Sequence, residues 1–181
     1  MRKTAPVRRS PLPVEYVEVV DRRNRPLVVL PLSETHRQSL YHRAVLVLVF
    51  NAENKVYLQK RSKSKLVYPG RWDLSATGHV QRGESCEDAA LREAHEELGL
   101  TLTRLKLKQE LQASADTGFE FISLFTAGRV DEAPWPNPNE LEDGHFFDRD
   151  EVGLLVEQFR EQLTPGLVYF YERGLIFDTQ R

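Results

Sequence analysis

GHVQRGESCEDAALREAHEELGL, Gly78 to Leu100, is the stretch on which the reading of this 181-residue chain turns. Glu93, Glu96 and Glu97 stand at i, i+3 and i+4. At about 100° per residue, that spacing gathers three carboxylates on one helical arc. Ala90, Leu91, Ala94 and Leu98 occupy the neighbouring arc. The helix is therefore expected to dock an apolar face on a core and turn its carboxylates outward. Ser85, with Asp88 three residues on, supplies an N-cap, and Gly99 supplies a stop. Like charges at i, i+4 destabilise a helix by about 0.2–0.5 kcal/mol per pair, so the cluster is a cost unless a cation neutralises it. Mg²⁺ suits the task, since it takes oxygen ligands and retains several waters. A solvated acidic face is the other reading of such a helix, and the wider spacing decides between them.

That spacing runs Gly78, five residues, Glu84, seven residues, then Arg92-Glu93-Ala94-His95-Glu96-Glu97-Leu98-Gly99-Leu100. Fixed residue types at such intervals coincide by chance with odds below about one in a million. The stretch is identified as a Nudix box, and the chain resembles the Nudix hydrolase superfamily. The resemblance implies an α/β fold, an α/β/α sandwich around a mixed sheet. It implies Glu93 and Glu97 as principal metal ligands, with Glu96 a further ligand or a base and Glu84 in support. Gly78 would let the backbone approach metal or phosphate closely. Arg92 reads best as a structural ion pair pinning loop to helix. The implied cofactor is Mg²⁺, with Mn²⁺ as an alternative. The implied substrate is a small-molecule diphosphate, cleaved by an activated water while the protein positions and stabilises charge. Many members carry another acid on a later loop. Glu140 is the best positional match and Glu142 the second, and either also reads as a solvated carboxylate.

The whole chain is consistent with one domain. Its length buries a sizeable core, with 14–181 as a single Nudix domain and 1–13 as a disordered tail carrying Arg2, Lys3, Arg8 and Arg9. A net charge of −2 gives no general pull toward nucleic acid polymers or anionic membranes. The single cysteine, Cys86, suits a reducing cytoplasm. No apolar run approaches a membrane span, and the N-terminus lacks the apolar core of a secretory signal.

In order, Val14–Val20 and Leu27–Leu30 read as an N-terminal β-hairpin extension, whose exposed strands leave a homodimer open. Ser33 reads as the N-cap of a short helix or turn through Leu40. Ala44–Phe50 is a strand apolar enough to be buried on both faces, and Val56–Lys60 returns beside it. Trp72–Thr77 reads as a strand delivering the chain to Gly78. Beyond the box, strands are expected within Thr101–Ala113, over Phe119–Val130 and at His145–Phe147. The three prolines of Asp131–Asn139 imply a rigid exposed loop that helps shape a pocket. Asp148 with Glu151 opens a helix to about Leu163, and Thr164-Pro165 caps a last helix of Leu167–Phe177.

Upstream, His42-Arg43-Ala44, Gln59-Lys60-Arg61-Ser62, Lys65, Pro69-Gly70-Arg71-Trp72-Asp73 and Gly78-His79 resemble the isopentenyl diphosphate isomerase branch of the superfamily. By that likeness Arg61, Lys65 and Arg71 are candidate contacts for substrate phosphates, although surface solvation accounts for them equally well. Trp72 reads as core. His42, His79 and Glu120, with His36 one residue out of the family spacing, would match a second metal site. Gly118 stands where another glutamate is expected. His42 and His79 read more simply as packed, hydrogen-bonded residues at strand ends. Thr77 replaces the cysteine that precedes the isomerase Gly-His, and the box keeps the acids that the isomerase lacks at Glu93 and Glu96. The pattern favours hydrolase over isomerase. A non-catalytic ligand-binding domain is the remaining alternative, and the undamaged box opposes it.

Overall fold

A computed structural model describes residues 14–177; the expected N-terminal tail lies outside them. β1 (Tyr16–Val20) and β2 (Pro26–Pro31) form an antiparallel hairpin, followed by α1 (Leu32–Arg37). The main sheet has seven strands: β3 (His42–Phe50), β4 (Val56–Arg61), β5 (Trp72–Asp73), β6 (Ala76–His79), β7 (Lys106–Leu111), β8 (Glu120–Arg129) and β9 (Leu141–Phe147). Its central pair, β3 and β8, is parallel, and the remaining pairings are antiparallel. The box helix is α2 (Cys86–Leu98); α3 (Arg149–Gln158) and α4 (Pro165–Glu172) close the chain.

The period-two geometry of β3 explains the layers. Val45, Val47 and Val49 face one core with Ala89, Ala90 and Leu98 of α2. Ala44, Leu48 and Phe50 face the other, with Val152 and Val156 of α3 and Leu167, Val168 and Phe170 of α4. The run from Ala44 to Phe50, apolar at every position, is thus buried on both sides. The result is the expected α/β/α sandwich with a mixed sheet and an N-terminal hairpin.

The expected strand Trp72–Thr77 is two strands. β5 pairs with β4, through Gln59 opposite Asp73, whereas β6 pairs with β3, through Ala44 opposite His79. β3 and β4 meet in register only at Phe50 and Val56. Between the two short strands, the Ser75 hydroxyl donates to the Tyr57 carbonyl (2.6 Å) and accepts from the Val49 amide (2.9 Å). One buried hydroxyl thereby satisfies backbone groups on both diverging strands. The sheet splits here, and the split positions the site.

Other boundaries move for local reasons. Ser33 lies inside α1 rather than capping it; Pro31 holds the cap position as the chain leaves β2 directly. Only Lys106–Leu111 of the expected strand in Thr101–Ala113 pairs, while Leu102 and Leu105 pack against the α2-side core. α3 opens with the Asp148–Glu151 capping box but ends at Gln158. Leu163 is buried in extended conformation beside Trp72, which helical continuation would prevent. α4 is capped by Thr164 with Pro165 in its first turn, and ends at Glu172. Gly174 then turns with φ 66°, returning Ile176 and Phe177 to the core.

Candidate active site and histidine centre

Three alanines, Ala89, Ala90 and Ala94, line the buried face of α2. Small side chains let the helix settle close to the sheet, and this reverses the expected direction of two carboxylates. Glu93 and Glu97 are 8% and 2% exposed, not outward-facing; only the Glu96 side chain, at 54%, stands in solvent. Glu97 spans the split in the sheet. Its Oε2 accepts from Gln59 Nε2 on β4 (2.9 Å) and from the Thr77 amide on β6 (3.0 Å). Its Oε1 lies 3.6 Å from Lys65 Nζ, and the same ammonium contacts Glu140. Glu140, immediately before β9, is therefore brought to the carboxylate helix. Glu142 lies within β9, 4.0 Å from Lys60 Nζ.

Gly78 is where Glu93 fits. A Cβ built on Gly78 would lie 2.1 Å from both Cδ and Oε1 of Glu93. The space is thus taken by the Glu93 carboxylate itself. Burial, then the neighbouring Glu97, pushes the Glu93 pKa up to about 8 against the opposing pull of Arg92. Burial also raises Glu97, with Lys65, Thr77, Gln59 and Arg61 opposing. For Lys65, burial disfavours the charge, yet Glu97 and Glu140 prevail and raise its pKa. Gln59 Oε1 is buried with no hydrogen-bond partner among the described residues. Two buried carboxylates beside an orphaned amide oxygen form an oxygen-rich donor set, which fits a hard divalent cation.

Arg92 ties the loop to the helix, as expected. It makes a two-point contact with Glu84 (2.8 and 3.0 Å), and also donates to Glu93 (2.6 Å), Glu96 (3.2 Å) and the His79 carbonyl (3.0 Å). Glu84 additionally accepts from the Gln81 amide, so both its oxygens are engaged. That arrangement suits support rather than proton transfer. Arg61 donates to Asp73 (3.2 Å) and Thr77 Oγ1 (3.4 Å) at the edge of the same site. Arg71 is not drawn into it: its guanidinium reaches the Leu163 carbonyl (3.2 Å) and stacks over Tyr68. Trp72 packs in the core against Phe147.

The loop 131–139 has a structural task that composition did not disclose. The Trp135 amide donates to the Leu98 carbonyl (2.7 Å), and the Asn137 amide to that of Glu97 (2.9 Å). Asn137 Nδ2 donates to the Glu96 carbonyl (3.1 Å). Gly99, at φ 67°, turns its own amide onto His95 (2.9 Å). The orphan carbonyls at the end of α2 are thereby satisfied, and the same loop delivers Glu140.

A second cluster lies at the other end of β6. His36 (α1), His42 (β3), His79 (β6) and Glu120 (β8) each bring one ligand atom, all within 4.8 Å of one another. Register explains the meeting, since His42 lies opposite Glu120 and Ala44 opposite His79. Glu120 Oε1 is 3.7, 3.4 and 3.4 Å from Nε2 of His36, His42 and His79, and the His36 and His42 Nε2 atoms are 3.2 Å apart. Ligands about 2.1 Å from a tetrahedral metal sit about 3.4 Å apart along the edges, so four nitrogen and oxygen donors at these separations fit an ion such as Zn²⁺. In the metal-free protein, burial disfavours charge on His79, but hydrogen bonds to Glu120 and Glu15 outweigh it and raise its pKa to about 10. Burial would raise Glu120, but the three histidines hold it well below the usual carboxylate range.

The NUDIX domain family matches residues 40–170. The chain belongs to the Nudix family. An uncharacterised Nudix hydrolase of Yersinia pestis is 38% identical over 89% of this chain and 88% of its own length. Another, from Pseudomonas aeruginosa, is 45% identical over 86 residues, where the match spans 48% of this chain and about half, 51%, of that relative. An isopentenyl-diphosphate Delta-isomerase of Photorhabdus laumondii is 30% identical over 84% of this chain and 90% of its own. A crystal structure from Deinococcus radiodurans superimposes with a TM-score of 0.75 at 25% identity, covering 88% of this chain and 98% of that one. This Nudix protein carries a carboxylate helix and, at the other end of β6, a histidine cluster.

Proposed function

We propose that this Nudix pyrophosphohydrolase uses Mg²⁺, or Mn²⁺ in its place, to cleave a diphosphate linkage in a nucleoside-diphosphate-linked or other organic pyrophosphate. The observation that carries the reading is the buried Glu93–Glu97 pair, with Glu97 held across the split sheet beside Lys65 and Glu140. Glu93 and Glu97 hold the cation, with Glu96 and the Gly78 backbone at its margin. Bound there, the cation supplies charge to the diphosphate oxygens and eases deprotonation of the attacking water. Gln59 and the Thr77 amide fix the Glu97 carboxylate, so its geometry is set before substrate arrives. Lys65 and Arg61 offer positive charge to the phosphates. Glu96 and Glu140 are the carboxylates left to accept the proton of the water. Glu84 acts through Arg92. Within the same reading, the chain acts on small molecules in the cytoplasm as one domain, and His42, His79 and Glu120, with His36, hold a second metal.

A second reading, isomerisation of isopentenyl diphosphate, is favoured by the histidine cluster and by the Photorhabdus relative. Thr77 weighs against it. Its hydroxyl lies 3.4 Å from Arg61 Nη1, and a hydroxyl is a much poorer proton-transfer group than a thiol. The test is Mg²⁺-dependent turnover across nucleoside triphosphates, dinucleotides, nucleotide sugars, coenzyme A and isopentenyl diphosphate, with Glu97→Gln beside the parent. Hydrolysis that falls by roughly 10²-fold or more in the variant supports the proposal. Dimethylallyl diphosphate as product moves the assignment to isomerase. Nucleotide binding without turnover under any divalent cation points to a binding domain.

A further inference from the structure

We propose that Glu15, at the foot of the N-terminal hairpin, is a positioning residue for the histidine centre, holding His79 so that its Nε2 lone pair faces the metal position beside Glu120. The inference rests on reading His36, His42, His79 and Glu120 as a metal centre. Glu15 Oε1 lies 3.3 Å from His79 Nδ1, while Nε2 of the same ring faces Glu120 at 3.4 Å. A carboxylate can only accept, so this contact keeps the imidazole proton on Nδ1. Nε2 of the neutral ring is then the free ligand atom.

His42 is arranged in the same way by a different group. Its Nδ1 lies 2.9 Å from the Leu40 carbonyl, which can only accept, leaving Nε2 for Glu120 and His36. Two of the three rings thus have the nitrogen remote from the cluster tied to an oxygen. That is the outer support that metal-binding histidines require, and its removal characteristically costs about 10–100-fold in affinity. Glu15 is itself fixed, because its carbonyl accepts from the Leu32 amide (2.9 Å) at the start of α1. The hairpin docks at a second point, where Glu18 meets Arg43 at 3.0 Å. Glu15 therefore links the hairpin to the centre, and loading the centre holds the hairpin in place.

Co²⁺ is the probe, because its visible absorption reports the coordination of a nitrogen-rich site, and excess Mg²⁺ keeps the carboxylate helix filled. Parent, Glu15→Ala, Glu15→Gln and His42→Ala would be titrated, with metal-free melting measured alongside. The parent should bind Co²⁺ with intense absorption bands, and His42→Ala should lose them. Glu15→Ala should bind about 10–100-fold more weakly, and its metal-free melting temperature should fall with loss of the His79 contact, so altered bands at saturating Co²⁺ on folded protein carry the test. Glu15→Gln, whose amide oxygen still accepts the Nδ1 proton, should recover most of the affinity. Parent-like affinity and spectrum in Glu15→Ala would overturn the role of Glu15 while leaving the centre intact. No Co²⁺ uptake by the parent, or full uptake by His42→Ala, would instead remove the metal centre and the inference with it.

Discussion

Burying two carboxylates side by side is costly, and Glu93 registers that cost in its affinity for a proton. Its folded pKa is pushed up to about 8 from an ordinary value of 4.5, so between those values the folded state binds a proton that the unfolded chain has released. Stability of the metal-free protein should therefore fall as pH rises from about 4.5 to about 8. Mg²⁺ favours the ionised form, so its affinity should climb over the same interval and level off above it. Thermal melting with and without Mg²⁺ at pH 6, 7 and 9, taken here as round working points, checks the sign; a stabilisation by Mg²⁺ that shrank with rising pH would oppose it. Gly78→Ala tests the packing of the same residue. The added Cβ would collide with the Glu93 carboxylate, the end of a side chain that can rotate away. Turnover and Mg²⁺ affinity should drop while melting changes little. The positions of Glu93, Glu96 and Glu97 on one helix were legible from spacing alone; their burial was not. Sequence showed an apolar arc beside an acidic one, but not that three alanines bring the helix close enough for the acids to reach β6.

At the scale of elements, α2 is anchored at both ends by different means. Ser85 Oγ accepts from the Asp88 amide at 3.1 Å, and Ser85→Ala should lower stability by about 1 kcal/mol in denaturant unfolding. The C-terminal end depends on the loop 131–139, through Trp135 and Asn137. Asn137→Ala removes two side-chain bonds, from Nδ2 to the Glu96 carbonyl and from the Asn139 amide to Oδ1. It should reduce turnover more than it reduces melting temperature, because the loop also sets Glu140 beside Lys65. Equal parent and variant kinetics would separate the loop from the site. The N-cap and the glycine stop were readable because they are local chemistry. The loop's capping role was hidden because its partners are about forty positions away in the chain. The division of Trp72–Thr77 was hidden for the same reason: a run of strand-forming residues does not reveal that it changes partners at Ser75.

Across the whole molecule, two centres share one short strand. Gly78 of β6 accommodates Glu93, and the next residue, His79, belongs to the histidine cluster while its carbonyl accepts from Arg92. Relatives of this chain include both an uncharacterised Nudix hydrolase and an isopentenyl-diphosphate Delta-isomerase. The box spacing made the family legible, and the histidines were individually visible. Their convergence required the β3–β8 register, with His42 opposite Glu120, which no local pattern encodes. Under the proposed function, water attacks phosphorus at the carboxylate centre. The direct measurement is mass analysis of products formed with Mg²⁺ in ¹⁸O-labelled water, on whichever diphosphate the parent turns over. One ¹⁸O atom should appear in a phosphoryl product, with the signal lost in Glu97→Gln. An unlabelled product of unchanged mass, its double bond moved, would contradict it.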